Sequence, residues 1–239
     1  MSTNQPDGAV PIVALDVGGM DAARRIVKTL GSRCRFYKVG LELFTAAGPD
    51  VARWLRDEGC EVFLDLKFHD IPATMAGAAR SAGRLGVRLL TVHAAAGGAG
   101  VRAAVEGAGA ECGVLAVTVL TSLDAGELAA VWGRARSLAV EVEVQRLAGL
   151  AAEAGAHGIV CSGHEVAAVR TSFGDRLAPL VPGIRLAGGE SHDQARVVTP
   201  SVAQAAGARY LVLGRAVTAA ADPVAAMDEV HRQLASGGI

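Results

Sequence analysis

Short apolar runs, rich in β-branched residues, alternate along the chain with longer stretches rich in Ala, Arg and Glu, and the alternation recurs about eight times. The apolar runs are Ile12–Leu15, Phe36–Val39, Val62–Leu66, Leu89–Val92, Val114–Leu120, Gly158–Cys161, Leu180–Ile184 and Tyr210–Leu213. Strands that are apolar on both faces belong in a parallel sheet sheathed by helices, because a one-sided antiparallel sheet would alternate polar and apolar positions. The pattern therefore predicts an α/β fold, a (β/α)8 TIM barrel forming a single domain over residues 1–239. The alternative is an open doubly wound sheet. That fold wants Gly-x-Gly-x-x-Gly after the first strand, whereas Asp16-Val17-Gly18-Gly19-Met20 stands there. Residues 183–199, which include Gly188-Gly189-Glu190-Ser191-His192-Asp193-Gln194, show no apolar periodicity and are predicted to form a long loop of the kind that often acts as a lid.

Composition narrows the partners. About half of the 239 residues are apolar, enough to bury a sizeable core. Lys plus Arg number 23 against 24 Asp plus Glu, so there is no broad basic field for nucleic acid or an anionic membrane, and a small-molecule partner is expected. Cys34, Cys60, Cys112 and Cys161 are scattered without metal-ligand spacing and read as reduced core residues. No apolar run is long enough for a membrane helix, and Met1–Asp7 lacks the plan of a signal peptide, so a cytoplasmic protein is expected.

In a barrel, reactive groups gather where strands end and the following loops begin. Polar residues interrupt the apolar pattern at those places. Asp16 closes the first strand, Lys38 lies near the end of the second, Asp65 and Lys67 end the third, His93 ends the fourth, and Thr121 and Ser122 follow the fifth. Asp65 and Lys67 are two apart on a strand, so their side chains should share the face toward the barrel axis, with Lys38 adjacent on the second strand. A structural ion network plugging the barrel mouth is the plainer account. Buried ion pairs add little net stability, however, so several charges at strand ends are better explained by chemistry.

The segment from Phe63 to Thr74 contains Asp65-Leu66-Lys67-Phe68-His69-Asp70, and it resembles the Asp-x-Lys-x-x-Asp region of orotidine 5′-phosphate decarboxylases. The resemblance continues in order through Ala14-Leu15-Asp16, Lys38-Val39-Gly40, Val119 to Ser122, Pro182 to Arg185, Asp193-Gln194 with Thr199-Pro200, and Leu213-Gly214-Arg215. It implies a lyase of pyrimidine biosynthesis that turns orotidine 5′-monophosphate into uridine 5′-monophosphate (UMP) with no cofactor and no metal. Lys67 would protonate C6 as carbon dioxide leaves, Asp65 would lie beside the substrate carboxylate, and Lys38 would complete the charge chain. Asp70 would reach the active site of a neighbouring subunit, which implies a homodimer with shared sites. Asp16 would bind the ribose hydroxyls, and Thr74 would join the substrate-binding set. Thr121 and Ser122 would meet the pyrimidine, while Arg185, Gln194, Gly214 and Arg215 would hold the phosphate. Ala73 and Ala216 depart from the Asn and Pro that the family commonly carries there.

Two rival functions fit parts of the same pattern. A magnesium-dependent 3-keto-L-gulonate 6-phosphate decarboxylase shares the Asp-x-Lys-x-x-Asp element but wants a carboxylate on the second strand, where Lys38 would repel a divalent cation. A non-catalytic nucleotide-phosphate-binding barrel would have no need of Lys67. His69 and His93 read as structural or mouth-lining residues, and His157, His164, His192 and His231 lack any metal-like grouping. Asp124, Glu127 and the charge run from Arg134 to Arg146 with Glu141 and Glu143 read as solvated helix faces. Trp54 and Trp132 read as packing or interface residues.

Overall fold

The computed structural model describes residues 8–133, 139–186 and 198–236. The chain opens with β1 (Val10–Ala14), α1 (Met20–Leu30) and β2 (Phe36–Gly40), followed by α2 (Leu41–Ala47) and α3 (Asp50–Asp57). Next come β3 (Glu61–Phe68), α4 (Pro72–Arg84), β4 (Leu89–His93), α5 (Gly97–Ala108) and β5 (Gly113–Val117). Then α6 (Ala125–Trp132) and α7 (Val140–Glu153) precede β6 (Gly158–Val160), α8 (Val166–Phe173) and β7 (Ala178–Val181). The last elements are α9 (Pro200–Ala205), β8 (Tyr210–Leu213), α10 (Arg215–Thr218) and α11 (Pro223–Ser236).

The strands pair in chain order, all parallel, and β8 closes on β1 with Val10 opposite Tyr210 and Val13 opposite Leu213. This is the closed α/β barrel expected from the alternating pattern. Alternation along each strand sorts the buried residues into two cores. Ile12, Phe36, Phe63, Leu89 and Leu115 point inward and fill the barrel. Val13, Tyr37, Leu64 and Leu90 point outward and pack under the helices. The inward layer ends in Asp16, Lys38, Asp65 and Thr91, so the same period of two that builds the apolar plug also aims polar groups at the mouth.

Two strands stop earlier than the apolar runs suggest. β5 ends at Val117 rather than Leu120, and the Thr118 hydroxyl donates to the Val160 carbonyl at 2.8 Å. β7 ends at Val181, since Pro182 has no N–H for the ladder and Gly183 turns the chain at φ 74°. In both cases the apolar residues beyond the strand line a cavity instead. Most of the expected 183–199 loop lies outside the described residues, as do His192 and Gln194; at its ends Ile184 bridges Val198 in parallel fashion.

Glu143 is a correction. It was expected on a solvated face, but it is only 2% exposed, and it accepts from Arg146 Nε at 2.7 Å because its position on α7 turns it toward the core. Arg134 lies outside the described residues. Asp124 and Glu127 do face solvent and form a reciprocal capping box that starts α6. Cys34, Cys60, Cys112 and Cys161 are buried thiols. Among the described residues, no helix is long and apolar enough to cross a membrane.

Helices α4 and α5 pack closely, backbone against backbone. A Cβ at Gly107 would stand 2.4 Å from the Ala76 carbonyl oxygen, and one at Gly83 would stand 2.4 Å from the Ala108 carbonyl oxygen. Because α4 follows β3 directly, this contact seats the strand that carries the charged motif. Gly107→Ala should therefore lower the unfolding free energy by about 1–3 kcal/mol through overpacking, read by denaturant titration. An unchanged midpoint would contradict the close approach.

Candidate active site

The third strand departs from regular pairing where the charged residues begin. Phe63 and Leu64 pair with Leu89 and Leu90, but the next register pair is Phe68 with Val92. Asp65, Leu66 and Lys67 thus lie opposite the single residue Thr91, a bulge that re-aims the strand end. Lys67 sits within it at φ 51°, and among the described residues it is the one non-glycine with positive φ. A left-handed conformation at a non-glycine costs about 1–3 kcal/mol and persists only where the surroundings enforce it. Simple alternation along a strand would bring Asp65 and Lys67 to one face. They do share a face, but through the bulge and the left-handed turn.

The charges form a chain across β1, β2 and β3. Asp16 Oδ1 accepts from Lys38 Nζ at 2.7 Å, Lys38 Nζ lies 3.6 Å from Asp65 Oδ2, and Lys67 Nζ donates to Asp65 Oδ1 at 2.9 Å. The side chains of Lys38 and Asp65 are 11% and 13% exposed, Lys67 is 30% exposed and Asp16 58%. The centre of the chain is therefore nearly dry, with its two ends open to a ligand. Gly40 makes room for it, since a Cβ there would stand 2.9 Å from Lys38 Nζ and 3.1 Å from Asp16 Oδ1.

Burial alone would raise the Asp65 carboxyl, but the Lys38 ammonium, then that of Lys67, and hydrogen bonds from Lys67 and Thr91 outweigh it and hold the group below its ordinary value. His93, half-buried at the end of β4, is also held below its ordinary value. Burial lowers it first, then neighbouring His69 and Lys67, with Asp65 opposing. The rings of His69 and His93 lie 5.4 Å apart, beside the charged chain.

A cavity of about 390 Å³ opens at the barrel mouth above the apolar plug, a size suited to a small ligand. Asp16, Lys38, Asp65 and Lys67 form one wall. Val117, Val160, Leu180 and Val212 give an apolar floor. Gly183, Arg185, Gly214, Arg215 and Thr218 form the opposite wall. The Arg185 Nε–H is buried and, among the described residues, without a hydrogen-bond partner. Such a donor suits an anion, and a guanidinium can meet two phosphate oxygens at once. The cavity thus offers an apolar surface together with a charged chain and an anion cradle.

Most residues singled out from the sequence converge here. Thr121 lines the cavity, but Ser122 is exposed and borders a neighbouring hollow with Asp124 and His164. Asp70 and Thr74 do not line this chain's cavity. Both are exposed where β3 meets α4, and Asp70 Oδ1 accepts the Ile71 N–H at 2.6 Å. Gln194 lies outside the described residues. Three contributors were missed: Thr91, Gly40 and the apolar floor. Thr91 carried a readable signal as the polar inward position between Leu89 and His93, but a Thr inside an apolar run passes for an ordinary strand former.

Known proteins resemble this chain over nearly its whole length. Residues 10–230 match the family model described as orotidine 5′-phosphate decarboxylase / HUMPS family. The orotidine 5′-phosphate decarboxylase of Anaeromyxobacter dehalogenans is 53% identical, over 94% of this chain and 96% of its own. That of Moorella thermoacetica is 48% identical, over 93% of this chain and 91% of its own. The crystal structure of the Lactobacillus acidophilus enzyme of the same name superposes with a TM-score of 0.84 at 36% identity, covering 95% of this chain and 99% of that one.

Among the described residues His93, His157 and Asp65 are all held below their ordinary values, and all three bear on the acid limb of stability. His93 resists a proton that the unfolded chain accepts near 6.5, so stability should fall as pH drops through that value. Asp65 contributes stability above the ordinary carboxylate range, and that contribution is lost as pH falls through it. The melting temperature should decline from pH 7 toward 5 and fall further below, and His93→Gln should shrink the first decline. An identical decline in that variant would remove His93 from the account.

Proposed function

The chain belongs to the orotidine 5′-phosphate decarboxylase / HUMPS family; it decarboxylates orotidine 5′-monophosphate to UMP, and we propose that Lys67 is the acid that makes this possible. The observation that carries the proposal is the Asp65 carboxylate shared between Lys67 and Lys38 on the cavity wall. Loss of the carboxylate from C6 leaves an electron pair in the ring plane, where the π-system cannot spread it. A fixed ammonium in a dry site stabilises that charge as it develops and then delivers its proton to C6, so it lowers the transition state more than the ground state. Asp65 orients Lys67, and Lys38 carries the chain on to Asp16, which meets the ribose hydroxyls.

The phosphate binds at the other wall, on Arg185, Arg215 and the backbone at Gly214, with Gln194 as a further ligand. The pyrimidine lies on the apolar floor between them, against Thr121, with Ser122 closing from the adjacent loop. Binding energy gathered at the phosphate can hold the reacting carbon against Lys67, which is how a remote group contributes to rate. Lys38 argues against a magnesium-dependent relative of this reaction. Its ammonium occupies the space between Asp16 and Asp65 that a divalent cation would need.

The protein works as a cytoplasmic homodimer in which Asp70 completes the partner's site, with Thr74 in the substrate-binding set. In support, Asp70 and Thr74 are both exposed where β3 meets α4, beside Ile71, which is 66% exposed, and Leu41, the first residue of α2 after the neighbouring strand β2, is 57% exposed.

Purified protein should consume orotidine 5′-monophosphate in the presence of a chelator, followed by ultraviolet absorbance; no change would defeat the assignment. Lys67→Ala should lower turnover by about 10³-fold or more while UMP still binds, and a near-normal rate would remove the acid role. Mixing Lys67→Ala with Asp70→Ala subunits should recover part of the activity through hybrid sites. No recovery despite verified subunit exchange would count against a shared site.

A further inference from the structure

Thr91 is fully buried in β4 and touches the charged chain twice. Its Oγ1 accepts the backbone N–H of Lys67 at 2.9 Å and lies 2.9 Å from Asp65 Oδ1. The direction of both bonds is fixed by chemistry. An amide N–H can only donate, so the hydroxyl must accept there, and its own proton is left for the carboxylate. Asp65 Oδ1 is also the atom that accepts from Lys67 Nζ. One closed ring therefore runs from the Lys67 backbone through Thr91 and Asp65 to the Lys67 ammonium.

We propose that Thr91 is a positioning residue for the decarboxylation, holding both the backbone from which Lys67 springs and the carboxylate that aims its ammonium. The bulge takes the Lys67 N–H out of the regular ladder, and the left-handed backbone at φ 51° needs an enforcing contact. The Thr91 hydroxyl is that contact. Valine has the same shape without the hydroxyl, so it would leave a buried N–H without a partner and take one donor from Asp65. The strand end would relax, and the ammonium would move from the reacting carbon while the phosphate and ribose contacts stayed in place.

The inference rests on Lys67 being the acid, and the experiment separates the two. Thr91→Val, Thr91→Ser and Lys67→Ala are compared with wild type for kcat, KM and UMP affinity. Thr91→Val should lose about 10- to 100-fold in kcat, the scale of a small misplacement of a reacting group, with KM and UMP affinity changed less than about threefold. Thr91→Ser, which keeps the hydroxyl and drops the methyl, should return kcat to within about threefold of wild type. A role in packing alone would spare kcat in the folded protein and give the Ser variant no advantage. Wild-type kcat in Thr91→Val, or a loss that Ser does not restore, would overturn the proposal. Should Thr91→Val fail to fold, Ser must exceed Thr91→Ala by about tenfold in kcat, and equal rates would overturn it. An inactive Lys67→Ala beside a normal Thr91→Val sinks only the positioning role; an active Lys67→Ala sinks the acid role and this one with it.

Discussion

Two ammonium groups stand at the mouth of the barrel with one carboxylate between them, and the rest of the site is arranged around that sharing. Lys38 and Lys67 both approach Asp65, whose side chain is almost dry. Like charges in such a place repel, and each gives up hydration that the interior does not return. Asp65 offsets both losses, which is why its proton is held so weakly. Removing it would leave two cations facing each other, while removing either lysine would leave the carboxylate poorly compensated. The arrangement is a poor way to stabilise a barrel and a good way to hold a cation still in front of a ligand.

The fold makes that arrangement possible by ending the inward rows of β1, β2 and β3 in charged residues at the barrel mouth. Ile12, Phe36, Phe63 and Leu89 fill the barrel below, so the charged layer above rests on an apolar plug. The bulge on β3 then turns Lys67 back over Asp65. Across the cavity, the early ends of β5 and β7 release apolar residues and Arg185 to form the other walls. Strand termination, which reads as an irregularity of the sheet, is what shapes the binding space.

The barrel was legible because an eightfold alternation of apolar runs has few other solutions, and the charged residues because each broke an apolar run at its end. Less legible were features that depend on what lies opposite. The bulge could not be read from β3, since it exists only in the register between β3 and β4. Thr91 and Gly40 look ordinary in sequence, one a strand former and the other a small residue, and acquire meaning only beside Lys67 and Lys38. Glu143 misled because a helix pattern read without its neighbours cannot tell a solvated acid from one folded under Arg146.

The central claim is that the Lys67 ammonium exchanges a proton with C6 of the pyrimidine. Microscopic reversibility gives a direct measurement that needs no carbon dioxide. UMP incubated with the protein in deuterium oxide should trade its C6 hydrogen for deuterium, followed by proton magnetic resonance. Wild type should catalyse the exchange and Lys67→Ala should not, although both bind the nucleotide. Exchange at the wild-type rate in Lys67→Ala would show that another group carries the proton and would contradict the account.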